Sequence, residues 1–221
     1  MSYRLLLLLL VMSPLIGCGP SDPYPIPAKL PTEPLVEKKD GQEYEFPPTV
    51  DFDGATWIRV KEDPTDNVPA KAYVYASNDR DDYLFYMLYK PNELKSHGFP
   101  IEKQLMLAKL DPKTKKLFLD GPTELSLGGG MLLKAQFANQ QKVGQEELYY
   151  ADGNLLFRGH TIKDRLHGEC TYFYKDGKPL IQGKFSGGHL LKASGFDPDG
   201  TETEFANKTD LMQFLAERLN K

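Results

Sequence analysis

The chain has 221 residues, with 27 Lys and Arg against 31 Asp and Glu for a net charge of −4, and it holds two cysteines. Charges of both signs are mixed along it, which excludes the basic stripe of a nucleic-acid-binding protein. Nineteen glycines and 17 prolines, with little helical periodicity, predict a β-rich fold with many turns.

Met1 to Arg4 form a short, singly basic start, and Leu5 to Met12 is an unbroken apolar run. This run is shorter than the ~20 residues of a transmembrane helix and fits the core of a secretory signal peptide. It ends in Leu15, Ile16, Gly17 and Cys18, a small residue followed by a thiol. That ending resembles the lipobox of bacterial lipoproteins. The resemblance implies that residues 1–17 are a lipoprotein signal peptide cut after Gly17. Cys18 is then the lipid attachment, and the chain is a lipid-anchored membrane protein of the cell envelope. The alternative is an ordinary secretory signal with a chance cysteine. Each buried acyl methylene adds about 0.8 kcal/mol, so several chains on one residue anchor stably. Gly19, where some Gram-negative lipoproteins carry a retention aspartate, favours the outer membrane if the cell is Gram-negative.

Eight of the thirty residues from Gly19 to Pro48 are proline. Such a segment buries too little surface to offset its conformational entropy, and residues 18–48 are expected to be a lipidated Pro-rich tether of at most ~3 Å per residue. It would hold the folded body clear of the bilayer. A Pro-rich docking motif is the sharper alternative.

Residues 49–127 are expected to be an irregular β-rich region. Thr56–Val60 and Ala70–Ala76 alternate, and Tyr83–Tyr89 is dense in aromatics. Ser77–Asp82 is a polar hairpin loop, in which Asp79, Asp81 and Asp82 lack the order and glycine of a calcium loop. Gln104–Leu110 and Lys116–Leu119 pair around Asp111–Thr114, and Trp57 is a core residue. This region is either a separate module or a set of degenerate early hairpins of one sheet. A hydrolase hidden in it lacks a supporting constellation: no Gly-x-Ser-x-Gly elbow is present, and no Gly-rich loop opens a helix.

Residues 128–206 repeat. Asp152-Gly153, Asp176-Gly177 and Asp199-Gly200 follow Gly130 at glycine spacings of 23, 24 and 23 residues, each with an aromatic four residues before the glycine. A period in this range marks stacked units that bury their apolar faces against one another. Leu133–Phe137, Phe157–Thr161 and Ile181–Phe185 recur at 24, and Gly144 and Gly168 are expected to mark the second turn of each unit. Asp-Gly predicts type I′ hairpin turns, and Gly128–Gly130 is expected to be a flexible junction. Tyr149-Tyr-Ala-Asp-Gly153, Phe157-Arg-Gly159, Leu166-His-Gly168 and Tyr172-Phe-Tyr-Lys-Asp-Gly177 resemble the bacterial variant of the MORN repeat. Ala135 and Leu191 depart from its glycines, and Pro179 predicts an edge or bulge. The resemblance implies an antiparallel meander of β-hairpins in an elongated sheet, used as an interaction or membrane-associated scaffold. Some bacterial members carry a toxin–antitoxin label.

Gly130–Gly200 holds nine Lys and Arg against eight Asp and Glu, which gives little attraction to anionic lipid. His160, His167 and His189 match no common metal-ligand spacing, so no metal and no cofactor are expected. Cys170 lacks an intramolecular partner once Cys18 is acylated. One set of repeat aromatics fills the core, and the other faces solvent or a partner. Residues 207–221 form a C-terminal helix, capped by Thr209 or Asp210, with Leu211, Phe214, Leu215, Arg218 and Leu219 on one stripe closing the last sheet edge. The expected function is a non-enzymatic binding or scaffold lipoprotein with a protein partner. The alternative is an immunity or antitoxin-like protein acting on a toxin in the envelope.

Overall fold

The computed structural model describes residues 24–62, 70–114 and 117–219. Gly17, Cys18 and the signal peptide lie outside the described residues. Among the described residues the fold is mainly β: antiparallel hairpins in chain order, one C-terminal helix and no closed barrel. A first hairpin, β1 (Leu35–Lys39) and β2 (Gln42–Phe46), stands apart as a two-stranded sheet. The large sheet begins with β3 (Thr49–Phe52), β4 (Ala55–Glu62), β5 (Ala70–Ala76) and β6 (Tyr83–Tyr89). It goes on through β7 (Lys95–Ser96), β8 (Phe99–Leu110), β9 (Leu117–Leu127), β10 (Met131–Ala138) and β11 (Gln141–Tyr149). The remaining strands are β12 (Leu155–Ile162), β13 (Arg165–Leu166), β14 (Gly168–Phe173), β15 (Pro179–Ser186), β16 (His189–Phe196) and β17 (Glu202–Phe205), followed by α1 (Lys208–Leu219). Apart from the short β7 on β8 and β13 on β12, each strand pairs with the next, so β3 and β17 are the free edges.

The sheet has no break between residues 127 and 128, because β9 and β10 pair from Met131–Leu127 to Phe137–Gly121. The three glycines there are a tight turn, with Gly129 and Gly130 at φ 78° and 75°. Strand alternation puts Val74, Phe85, Met87 and Met106 on one face and Tyr73, Tyr75, Leu84 and Leu105 on the other. The first face carries one core from β5 to β15, through Leu125, Leu133, Leu148, Phe157 and Phe185. The second is covered by the β1–β2 hairpin, where Phe46 stacks 4.5 Å from Tyr73 and Trp57 is fully buried.

That hairpin corrects the expected tether. Tyr44 and Phe46 alternate with exposed Glu43 and Glu45, and Asp40-Gly41 turns the chain with both residues at positive φ. Two buried aromatics and a hairpin turn outweigh the proline content that dominated the composition.

Two families of turns alternate through the repeats. At Asp152-Gly153, Gly153 N–H donates to Tyr150 O at 3.0 Å, Tyr150 N–H donates to Asn154 O at 2.8 Å, and only the glycine has positive φ. This is a type I turn closed by a left-handed glycine with a bulge, not the expected type I′ turn. The aspartate side chain accepts the N–H two residues on, and the arrangement recurs at Asp176 and Asp199. The other turns fall at Asn139-Gln140, Lys163-Asp164 and Gly187-Gly188, again 24 apart and with both residues at positive φ. Gly144 and Gly168 therefore lie after these turns, inside the second strand of each hairpin. Pro179 opens β15 opposite a bulge at Tyr172/Phe173, as expected.

Lys163, at φ 49°, occupies a backbone region that favours Asn or Gly over a long side chain. Lys163→Asn is expected to stabilise the protein by roughly 0.5 kcal/mol, measured as a raised urea midpoint with an unchanged slope.

The helix cap differs from both expected residues. Asn207 Oδ1 accepts the Asp210 N–H at 3.0 Å, and Asn207 Nδ2 donates to Asp210 Oδ2 at 2.8 Å. Asp210 thus sits at the third helical position, where its charge also suits the helix dipole. Leu211, Phe214 and Leu215 pack on Ile181 and Ala193, and Arg218 binds Asp197 at 2.7 Å.

Candidate functional site

The repeat register isolates one polar spot in an apolar surface. Glu146 faces Gly159, and one repeat later Cys170 faces Gly183, which in turn faces Ala193, so Glu146 is a charged residue at a position set among small ones. At the pairs flanking the two-residue turns, Phe137–Lys142, Thr161–Leu166 and Phe185–Leu190 are equivalent. Lys142 therefore replaces a leucine and Thr161 a phenylalanine. Three polar exchanges fall on the same hairpin, β11–β12, and face the same side.

They meet there. Glu146, 2% exposed, accepts from Lys142 Nζ at 2.6 Å and from His97 Nε2 at 3.1 Å on one oxygen. Its other oxygen accepts from Thr161 Oγ1 at 3.2 Å. His97 arrives from outside the repeats, on the turn between β7 and β8, with its φ at 51° and that of Gly98 at 87°. Its ring lies 5.3 Å from Phe157, which in turn lies 4.6 Å from Tyr172. Burial alone would raise the Glu146 pKa; the His97 hydrogen bond and the Lys142 charge outweigh it and hold the carboxyl at about 2. A carboxylate so fixed is not matched to proton transfer near neutrality, which favours a pKa near the working pH. What the cluster does is fasten the β7–β8 turn to the repeat sheet.

The histidines weighed as metal ligands are not brought together: His160, His167 and His189 are each exposed. Among the described residues no group of three or more His, Cys, Asp or Glu is placed to hold a metal. Asp82 pairs with Arg80 at 2.7 Å, and Arg80 pairs with Asp53 at 2.8 Å. Cys170 is a buried free thiol whose pKa burial pushes up to about 11, an environment that suppresses thiolate chemistry. The repeat tyrosines have structural work: Tyr150 Oη donates to Phe173 O at 2.9 Å, and Tyr174 Oη to Phe196 O at 2.7 Å, so each ties one turn to the next.

The opposite face of the repeats is polar. A cross-strand row runs Lys134, Glu147, Arg158, Thr171, Gln182, Ser194 and Glu204. Lys134 pairs with Glu124 at 3.1 Å and Arg158 with Glu147 at 2.9 Å, so the charged end of the row alternates in sign, and Thr171, Gln182 and Ser194 continue it uncharged. His97 and Glu146 were missed by reading motifs; the signal that finds them is the loss of the repeat's own residue types at positions 142, 146 and 161. No protein-family model matches the sequence, and no curated protein matches it.

Proposed function

We propose that the chain is a membrane-anchored, non-enzymatic binding or scaffold lipoprotein of the bacterial cell envelope, built on MORN-type hairpin repeats. The observation that carries it is the Leu15-Ile-Gly-Cys18 ending behind an apolar run, joined to a long open sheet that offers a continuous polar ribbon. An extended surface with paired charges of both signs favours a protein partner over an anionic lipid surface. No helix of the described residues is long and apolar enough to cross a membrane, and on this proposal attachment is through lipid on Cys18.

Cys18→Ala is expected to abolish acyl labelling and to move the protein from the membrane to the soluble fraction. Membrane retention without labelling would overturn the anchor. Crosslinking in intact cells then identifies the partner: envelope components support a scaffold, and a secreted toxin supports an immunity role.

A further inference from the structure

The segment expected to be a free spacer is fastened to the body almost from its start. The Tyr24 ring stands 5.3 Å from that of Tyr83, edge to face, and packs on the main core. Further along, Glu33 O accepts from Arg59 Nη2 at 3.1 Å, Phe46 O from Arg59 Nη1 at 2.5 Å, and Pro47 O from Tyr75 Oη at 2.8 Å. Only residues 19–23 separate Cys18 from Tyr24, and six Cα steps span at most about 20 Å. A free tether of thirty residues would reach roughly 90 Å. Tyr83 opens β6 beside the Ser77–Asp82 turn, and from β6 to β17 the sheet takes nine strand steps, or about 43 Å at ~4.8 Å each.

We infer that the lipid seats the β5–β6 turn against the bilayer, leaving the repeats and α1 as the membrane-distal part free to meet a partner. This rests on the lipoprotein reading above. Position is set by the short leash and not by charge, because Asp79, Asp81 and Asp82 offer anionic headgroups no attraction.

The test uses the full lipidated chain in phosphatidylcholine vesicles carrying a headgroup energy acceptor. A donor is attached through Asp81→Cys or Met212→Cys, both at exposed positions, with the buried Cys170 left in place. Strong transfer is expected at position 81 and its loss at 212, and adding Tyr24→Ala is expected to lower transfer at 81 by lengthening the leash. Equal transfer at both positions, or transfer at 81 indifferent to Tyr24→Ala, would overturn the orientation while leaving the anchor intact. Absence of acyl incorporation would overturn anchor and orientation together.

Discussion

Lys142→Leu is expected to destabilise the protein by about 3 kcal/mol at pH 7, the lower end of the range for stripping a partner from a buried charge. The leucine matches Leu166 and Leu190 at the equivalent positions, so packing alone predicts a neutral or favourable change. The loss comes from Glu146, which stays buried with His97 and Thr161 but without the ammonium 2.6 Å away. Adding Glu146→Cys, the residue that Cys170 provides in the next unit, removes the stranded charge and is expected to restore most of the stability. A double-mutant cycle read by urea denaturation should give a coupling of roughly 2 kcal/mol. Additive losses would show that the cluster is not a unit.

Acid tests the same cluster by a different route. Because the folded pKa of Glu146, about 2, lies below the usual carboxylate value of 4.5, its contribution is fully present above the unfolded value and is lost as pH falls through the folded one. A shift of this size corresponds to roughly 3 kcal/mol. The wild type should therefore lose more stability between pH 5 and pH 2 than Lys142→Leu/Glu146→Cys, which has no carboxylate at 146.

How much of this was legible in the sequence depends on range. Asp152-Gly153, Asp176-Gly177 and Asp199-Gly200 located one row of turns because turn chemistry is local. Their type differs from the type I′ expectation because the dipeptide alone does not reveal that the residue three before the glycine (Tyr150, Tyr174 or Asp197) closes the loop. Asp40-Gly41 carries the same local signal, but the surrounding prolines hid it, and the burial of Phe46 depends on Tyr73 and Tyr86, which are distant in sequence. The cap at Asn207 was missed because Thr209 and Asp210 are also good caps; the geometry chose the residue whose side chain reaches the free N–H. His97 is the hardest case. It has no period and no motif, and its role exists only because the β7–β8 turn is carried onto β11 and β12, 49 residues from His97 to Glu146. Only the register of the repeats exposes the receiving half of that contact.

Gly159→Ala is expected to cost about 2–3 kcal/mol, toward the upper end of the overpacking range. A Cβ at this position would stand 2.6 Å from Phe157 Cζ and 3.2 Å from Leu166 Cδ2. The Phe157 ring cannot simply swing away: it is fully buried and packed against His97 and Tyr172. Moving it pushes on the histidine that reaches Glu146, so a steric change should weaken the electrostatic cluster as well. Gly183 is the internal control, because it occupies the equivalent place in the next unit but a Cβ there meets Phe185 Cε2 at 3.1 Å and Cys170 Sγ at 3.4 Å. Gly183→Ala needs a shift of only a few tenths of an ångström and is expected to cost about 1 kcal/mol or less. Shrinking the obstructing ring separates the two effects. Phe157→Leu alone leaves space and destabilises, whereas Gly159→Ala/Phe157→Leu fills part of that space and should be less destabilised than the sum of the single changes. Urea denaturation of the four proteins decides it, and equal costs for Gly159→Ala and Gly183→Ala would sink the argument that the Phe157 ring is what requires a glycine at 159.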